Sequence, residues 1–346
     1  MRLRTRAATL LAILPLLAVT LSAQSRVEVK ADEANRRVDV TVDGKPFTAY
    51  IWPTTLKKPV LYPLRSAKGT VVTRGYPLEP RPGERIDHPH HAGLWFNHGD
   101  VNGLDFWNNS DAIPAAQAAK YGTIVHQTIV EANSGSGQGS LTVESHWNKP
   151  DGTTLLKERT QYVFRADATS RTIDRITTLT AQGERVVFTD NKEGVIGIRV
   201  ARGLEQPGKQ ADIFLDASGT PTPTKIVDNT GATGEYTSSE GLKGDAVWGT
   251  RGRWAMLTGT VNAEPVTLAI LDHPGNPGFP TYWHARGYGL FAANPMGEKV
   301  FTEGKKSLDV TVAPGASIVF RYRVVILGGT ATADSLERLY RSFSGS

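Results

Sequence analysis

Short runs of alternating polar and apolar residues recur along most of this chain, and they restrict its fold more than any other feature. Val38, Val40 and Val42 alternate with polar residues, and Asp43 and Gly44 follow as a turn signal. Because successive side chains of a strand point to opposite faces, this alternation predicts antiparallel sheets with one buried face. Similar β-rich runs cover residues 121–130, 141–147, 160–164, 172–179, 185–188, 195–200, 253–257, 266–271 and 318–327.

Many short strands separated by turns rich in Gly, Pro, Asn and Asp are typical of a sandwich or a barrel. We therefore expect an all-β protein, a large antiparallel β-sandwich, with the galactose-mutarotase superfamily as one example of that architecture. Residues 112–120 form either a short helix or an ordered loop. A C-terminal helix is predicted, with Thr332 as its N-cap. Its apolar face would consist of Leu336, Leu339, Tyr340 and Phe343.

The first 23 residues have the pattern of an export signal. Arg2, Arg4 and Arg6 precede an apolar run at residues 7–19, and a small residue, Ala23, offers a cleavage site. The run is shorter than the roughly 20 residues that a membrane span needs. We expect a periplasmic or secreted protein without a membrane span in the mature chain.

Residues 24–346 are expected to form a single large β domain, in which the loop-rich residues 201–250 are an insertion. Two packed β domains are the alternative. Without residues 1–23, the formal net charge falls from +5 to +2, because three arginines and no acidic residues are lost. No basic run remains, so nucleic acid is not an expected partner. The chain has no cysteine, so a large core must supply its stability.

Residues 84–107 contain the densest group of chemically useful side chains. Four of the eight histidines lie here, at His88, His90, His91 and His98, among several aspartates and tryptophans. Imidazoles and carboxylates bind polar ligands, move protons or hold metals, and indole rings supply an apolar floor. The segment therefore predicts a site for a small-molecule or glycan substrate.

The triplet His88-Pro89-His90 offers a pair of metal ligands. Proline favours an extended conformation in the residue before it, so His88 and His90 would project on one side, and His91 on the other. His98 is a candidate third ligand. A metal site needs three or four convergent groups. The sequence therefore leaves three interpretations of these histidines open: they bind a divalent metal, they form a polar site without a metal, or they are purely structural. No cofactor is required.

Residues 94–100 are predicted to form a strand that leads into a turn. Trp95 and Asn97 would share one face, and Phe96, His98 and Asp100 the other. In one interpretation Phe96 belongs to the core and His98 pairs with Asp100 at the end of the strand. In the other, His98 lies at the rim of a site, where Asp100 raises its basicity for proton transfer.

Two further segments complete the candidate site. In residues 190–194, Glu193 is a candidate general acid or base, with a charged hairpin turn as the alternative. In residues 272–295, Trp283, His284, Arg286 and Tyr288 combine aromatic rings with polar groups, which suits sugars. The alternative is a single strand over residues 282–291 with bulges at its glycines.

Five segments carry a family resemblance. The chain resembles a family of exported bacterial proteins commonly labelled "methane oxygenase PmoA", across nearly all of the mature sequence. The methane monooxygenase subunit of that name spans the membrane several times, so methane oxidation is not expected of this chain. The resemblance implies a carbohydrate context, because family members tend to accompany sugar-catabolic genes. It rests on residues 73–77 (Thr-Arg-Gly-Tyr-Pro), 87–95 (Asp-His-Pro-His-His-Ala-Gly-Leu-Trp), 98–103 (His-Gly-Asp-Val-Asn-Gly), 192–194 (Lys-Glu-Gly) and 284–289 (His-Ala-Arg-Gly-Tyr-Gly).

We expect an exported enzyme that acts on a carbohydrate or glycoside by acid–base chemistry, as a lyase, an epimerase or a hydrolase. A non-catalytic glycan-binding protein is one alternative. A metal-dependent oxygenase of β-barrel type, with His88 and His90 as ligands, is another. The candidate catalytic residues are His90, His98, Glu193 and His284, and the candidate substrate-binding residues are Trp95, Asn97, Asp100, Trp283, Arg286 and Tyr288.

Overall fold

A computed structural model describes residues 24–345, so the predicted signal at residues 1–23 lies outside the described residues. Strands form most of the regular structure, with two α-helices, α1 (Glu298–Phe301) and α2 (Ala333–Ser344). Four 3₁₀ helices span Glu33–Asn35, Ala115–Lys120, Arg202–Leu204 and Gly244–Val247. The strands are β1 (Arg26–Asp32), β2 (Arg37–Val42), β3 (Lys45–Ile51), β4 (Val60–Leu61), β5 (Leu94–His98), β6 (Thr123–Asn133), β7 (Gly135–Ser136), β8 (Gln138–Asn148), β9 (Thr154–Ala166), β10 (Ser170–Ala181), β11 (Val186–Phe188), β12 (Gly194–Arg199), β13 (Ile213–Leu215), β14 (Pro221–Pro223), β15 (Glu235–Ser238), β16 (Trp254–Val261), β17 (Glu264–Asp272), β18 (Tyr282–Arg286), β19 (Leu290–Asn294), β20 (Val310–Val312) and β21 (Ser317–Gly328).

Two large antiparallel sheets pack face to face. One has the strand order β18-β19-β12-β5-β4-β3-β2-β1-β7, and the other β15-β16-β17-β21-β10-β9-β8-β6. Phe96 of the first sheet meets Phe320 of the second with ring centroids 5.4 Å apart, and both rings are buried. Burial of such a side chain stabilises the fold by roughly 1.5–3 kcal/mol. The expectation of an all-β antiparallel sandwich is confirmed.

The C-terminal helix is also confirmed. The Thr332 side chain accepts a hydrogen bond from the backbone N–H of Ser335, so the helix begins with a capping box. Leu336 and Tyr340 pack with Trp254 on the outer side of the eight-stranded sheet. None of the helices within residues 24–345 is long and apolar enough to cross a bilayer.

The alternative of a single bulged strand over residues 282–291 is wrong. The segment is a hairpin of β18 and β19, closed by a hydrogen bond of 2.9 Å from Gly289 N–H to Arg286 C=O. Gly289 has φ +93°, a conformation that favours glycine and turns the chain back. The turn puts Arg286 and Tyr288 at one end of the nine-stranded sheet.

A row of paired residues crosses the outer face of the nine-stranded sheet and positions the candidate site. His284 pairs with Ala292, Ala292 with Gly197, and Gly197 with Trp95. Directly paired residues share a face, so His284 and Trp95 lie on the same side of the sheet. A Cβ on Gly197 would lie 2.6 Å from the Trp95 ring and 3.0 Å from that of Trp107, so glycine is required beneath these indoles.

Candidate functional site

The histidine-rich segment forms a tight turn, not the extended segment that the sequence predicts. His91 N–H donates to His88 C=O over 2.9 Å, and His88 has the left-handed φ of 45°. Pro89 occupies the second position of this turn, which its fixed φ favours. The turn stacks the rings of His88 and His91 at 4.8 Å, whereas His90 lies edge-on to both.

Asp87 anchors this turn to two buried arginines. Its Oδ1 accepts hydrogen bonds of 2.5 Å from Arg74 and from Arg199, both of whose side chains are fully buried. Its Oδ2 lies 2.6 Å from Nδ1 of His88. Burial acts against ionisation, but the His88 hydrogen bond and the two guanidinium charges hold the pKa of Asp87 well below its usual range. The carboxylate therefore stays charged and orients His88 with Nδ1–H toward it and Nε2 away from it.

Four rings form a column from the β18–β19 turn to β5. Tyr288 stacks on His88 at 5.2 Å, His88 on His91, and His91 on Trp95 at 5.0 Å. The Arg199 guanidinium lies 4.7 Å from the Tyr288 ring centroid. Trp95 and His91 are buried, but half of the column, His88 and Tyr288, reaches the surface. The accessible part of the site is therefore at the Tyr288 end.

His284 lies at this same end. Its Nδ1 is 3.0 Å from the Lys192 carbonyl oxygen and 3.8 Å from a carboxylate oxygen of Glu193. A carbonyl oxygen can only accept, so Nδ1 carries the proton and Nε2 of the neutral ring is an acceptor. Burial, and then the charges of Lys192 and Arg286, lower the pKa of His284 to about 3. Tyr288 of this segment stacks on His88, so the segments near positions 90 and 284 are in direct contact.

A cleft of about 310 Å³ opens beside Tyr288. The Arg286 guanidinium lies 5.5 Å from the Trp248 ring centroid and 5.7 Å from that of Tyr288, so it is held between two aromatic side chains. The cleft is lined by Asp245, Trp248, Ala285, Arg286, Gly287 and Tyr288. It combines flat apolar rings with charged groups, as a polar, ring-shaped ligand requires.

The structure separates His98 from this cleft. Its ring is buried on the inner face of β5, and its Nε2 lies 2.7 Å from the Thr189 carbonyl oxygen. Asp100 instead accepts a hydrogen bond from Gly103 N–H in the following turn. Phe96 belongs to the core, as the first interpretation holds, but His98 neither pairs with Asp100 nor lies at a rim. Burial lowers the pKa of His98 to about 4, so the ring is neutral in the core.

Three of the candidate substrate-binding residues have no accessible surface. Trp283 is buried against Phe291 between the two sheets, on the face opposite to His284. Asn97 is buried and donates to the Phe106 carbonyl. Trp95 is buried beneath His91. These three residues pack below the surface of the site, whereas Arg286 and Tyr288 line the cleft, where a ligand can contact them.

His90 faces the interior beside a buried lysine. Lys58 Nζ donates to the His90 carbonyl over 2.8 Å and lies 5.6 Å from the Trp95 ring centroid. Burial lowers the pKa of Lys58 to about 7. Burial together with the Lys58 charge lowers that of His90 to about 2.

The predicted pair of metal ligands does not form a larger cluster. The ring centroids of His88 and His90 are 5.6 Å apart, and the His88 Nδ1 is bonded to Asp87. Across residues 24–345, no three His, Asp or Glu side chains converge as metal ligands. The described residues do not fit the metal centre that the sequence left open.

Comparison with protein families gives a match over most of the chain. The model of DUF6807, a family of unknown function, matches residues 37–341. The chain belongs to the DUF6807 family. A comparison with curated proteins finds no match.

The solved structures that are similar to this DUF6807 protein share little sequence identity with it. The α-galactosidase AgaB from Geobacillus stearothermophilus is 11% identical, with 87% of this chain and 41% of that chain covered and a TM-score of 0.42. The galactose 1-epimerase from Lactobacillus acidophilus is 11% identical, with coverages of 89% and 100% and a TM-score of 0.41. A galactose mutarotase-like protein from Clostridium acetobutylicum is 8% identical, with coverages of 88% and 99% and a TM-score of 0.38. The DUF6807 chain thus spans less than half of the length of the first of these proteins.

Several residues of the DUF6807 site were not singled out from the sequence. Arg74 lies in the segment 73–77 that carries the resemblance, and this was the available signal for it. Trp248 and Asp245 come from the loop-rich stretch 201–250, where no pattern marks them. Lys58 lies in a loop before β4 and likewise has no local signal. Their roles arise only from the contacts that the fold makes.

Proposed function

We propose that the protein is a carbohydrate-active enzyme that uses acid–base chemistry, with His88 as the group that accepts and returns a proton. The observation that carries this proposal is the 2.6 Å contact between His88 Nδ1 and Asp87, whose carboxylate two buried arginines hold in place. A carboxylate that orients an imidazole favours one tautomer and stabilises the protonated ring. The free Nε2 of His88 then takes a proton from the substrate.

The surroundings of His88 supply the other parts of such a site. Its side chain is 41% exposed, so part of the ring is open to a ligand. Nε2 of neutral His284 can accept a hydrogen bond from a sugar hydroxyl, because Nδ1 is committed to the Lys192 carbonyl. The rings of Tyr288 and Trp248 suit the C–H face of a sugar. Sugars present both features at once, hydroxyls at the edge and C–H groups on the face.

The test is turnover of a polysaccharide panel by the purified protein. Release of reducing ends reports hydrolysis, absorbance of a new C=C bond reports a lyase, and polarimetry reports epimerisation. We expect His88→Gln to lower turnover at least a hundredfold, because general acid–base catalysis contributes 10²–10⁴-fold. We expect His284→Gln to lower it about tenfold, because a hydrogen bond to the substrate is lost. Far-UV circular dichroism should stay unchanged in both variants. His146→Gln is the matched control, since this imidazole lies on β8, away from the site.

Full turnover in both His88→Gln and His284→Gln would overturn the assignment. If no glycan is turned over, but affinity persists in both variants and disappears in Tyr288→Ala, the protein is a glycan-binding module. That outcome contradicts the catalytic proposal and favours its alternative.

We also propose that the protein acts outside the cytoplasm after loss of residues 1–23. The intact mass of the chain recovered from a bacterial periplasm tests this directly. A chain that begins at or within a few residues of Gln24 supports export, and an uncleaved chain confined to the cytosol contradicts it.

A further inference from the structure

The ionisable groups around the cleft leave an excess of positive charge. Five cations, Arg74, Arg199, Lys192, Lys209 and Arg286, lie in or beside it among the described residues, against three carboxylates, those of Asp87, Glu193 and Asp245. Asp87 pairs with both buried arginines, Glu193 pairs with Lys192, and Asp245 pairs with Lys209.

This positive charge adds to the effect of burial in lowering the pKa of His284. After burial, the causes that lower it most are the charges of Lys192 and Arg286. The ligand that restores the balance of charge carries a negative group.

Arg286 lines the cleft and has no carboxylate partner among residues 24–345. Asp245 lines the same cleft, but its two oxygens bind Gln206 at 3.0 Å and Lys209 at 3.3 Å. Within the described part of the chain, no carboxylate pairs with Arg286, although its side chain is held between Trp248 and Tyr288. Its backbone is fixed by the hydrogen bond that closes the β18–β19 turn.

A guanidinium placed between rings keeps its N–H edge free. That planar edge matches the two oxygens of a carboxylate, which it can bind through two parallel hydrogen bonds. The neighbouring rings would at the same time contact the C–H face of a sugar. The cleft thus offers adjacent positions for a carboxylate and for the sugar ring that bears it.

We infer that this cleft binds an acidic sugar, a uronic acid residue, whose carboxylate pairs with Arg286. The inference rests on the proposed function and names its substrate class. The sugar ring lies against Tyr288 and Trp248, with its hydroxyls toward His88 and His284. A neutral sugar would leave the Arg286 charge without a partner, and it binds more weakly for that reason.

The experiment compares matched ligands on the purified full chain. The acidic ligands are oligosaccharides from polygalacturonate, alginate, glucuronoxylan and hyaluronan. Each is compared with a neutral counterpart in which the carboxyl group is reduced to an alcohol. A sulfated galactan is the third kind of ligand. Isothermal titration calorimetry gives each Kd. We expect an acidic oligosaccharide to bind at least tenfold more tightly than its reduced counterpart, because a hydrogen bond to a charged group is among the stronger contacts.

Variants then test the assigned residue. Arg286→Gln should weaken binding of the acidic ligand about tenfold and remove the preference over the reduced form. Arg286→Lys should lie between, because lysine keeps the charge but not the planar edge. Lys209→Gln is the matched control, because this exposed cation already pairs with Asp245 at the edge of the cleft, and it should leave the preference intact.

The outcomes separate this inference from the function on which it rests. Equal binding of acidic and reduced ligands, or a preference that survives in Arg286→Gln, overturns the inference and leaves a sugar-binding site in place. Tighter binding of the sulfated galactan than of every uronate overturns the assignment to a carboxylate. Failure of every glycan to bind overturns both proposals.

Discussion

Replacement of Asp87 by asparagine should destabilise the protein far more than its position near the surface suggests. The substitution keeps the shape of the side chain but removes the charge that balances two fully buried guanidinium groups. Removal of one partner from a buried ion pair typically costs 3–5 kcal/mol. Because the Asp87 side chain is 23% exposed and water screens part of the interaction, we expect Asp87→Asn to cost about 2–3 kcal/mol.

The assay is equilibrium unfolding in urea at pH 7, with Asp39→Asn as the matched control. Asp39 also pairs with an arginine, Arg37, but both side chains are more than 40% exposed, so its loss should cost about 0.5 kcal/mol at most. If Asp87→Asn destabilises no more than this control, the two buried arginines do not depend on Asp87 and the argument fails.

The same variant has a pH signature whose sign follows from the lowered pKa of Asp87. A carboxyl group whose pKa is lower in the folded state contributes stability above its unfolded pKa, and this contribution fades as the pH falls below that value. The difference in stability between wild type and Asp87→Asn should therefore be constant near neutral pH and shrink below about pH 4. A difference that grows on acidification would refute the reasoning.

Three further predictions follow from single contacts. Gly197→Ala should lower the free energy of unfolding in urea by about 1–3 kcal/mol, because the new Cβ would displace Trp95. In the control Gly183→Ala the new Cβ meets open space, so this variant should be neutral or slightly more stable. Between pH 7 and 9.5, wild type should gain stability with rising pH by about 1 kcal/mol per unit relative to Lys58→Met. The reason is that folded Lys58, with a pKa of about 7, has released a proton that the unfolded chain still holds. Thr332→Ala should cost about 1 kcal/mol and speed hydrogen exchange in the first turn of α2, since the capping box is lost.

Local patterns in the sequence were sufficient for most of the secondary structure. The alternation over residues 141–147 and 266–271 reappears inside β8 and β17. The cap at Thr332 and the apolar spacing that follows it specify α2. Both signals act within a few residues, so no knowledge of the packing is needed to interpret them.

The same patterns were not sufficient for β5, because both of its faces are buried. Alternation correctly separated Trp95 from His98, but all five residues of the strand are inaccessible. Only the packing of Phe96 against Phe320 shows that the His98 face is the inner one. A strand buried on both sides carries no polar face from which its orientation can be inferred.

The amino-acid sequence by itself determined that this chain forms antiparallel sheets with a C-terminal helix, and that its useful imidazoles concentrate near positions 90 and 284. The tertiary structure alone decided which of them work together. His88 depends on Asp87, and Asp87 depends on Arg74 and Arg199, which lie 13 and 112 positions away. Sheet register brings Arg199 within hydrogen-bonding distance of Asp87, and the residues next to either of them do not encode that pairing.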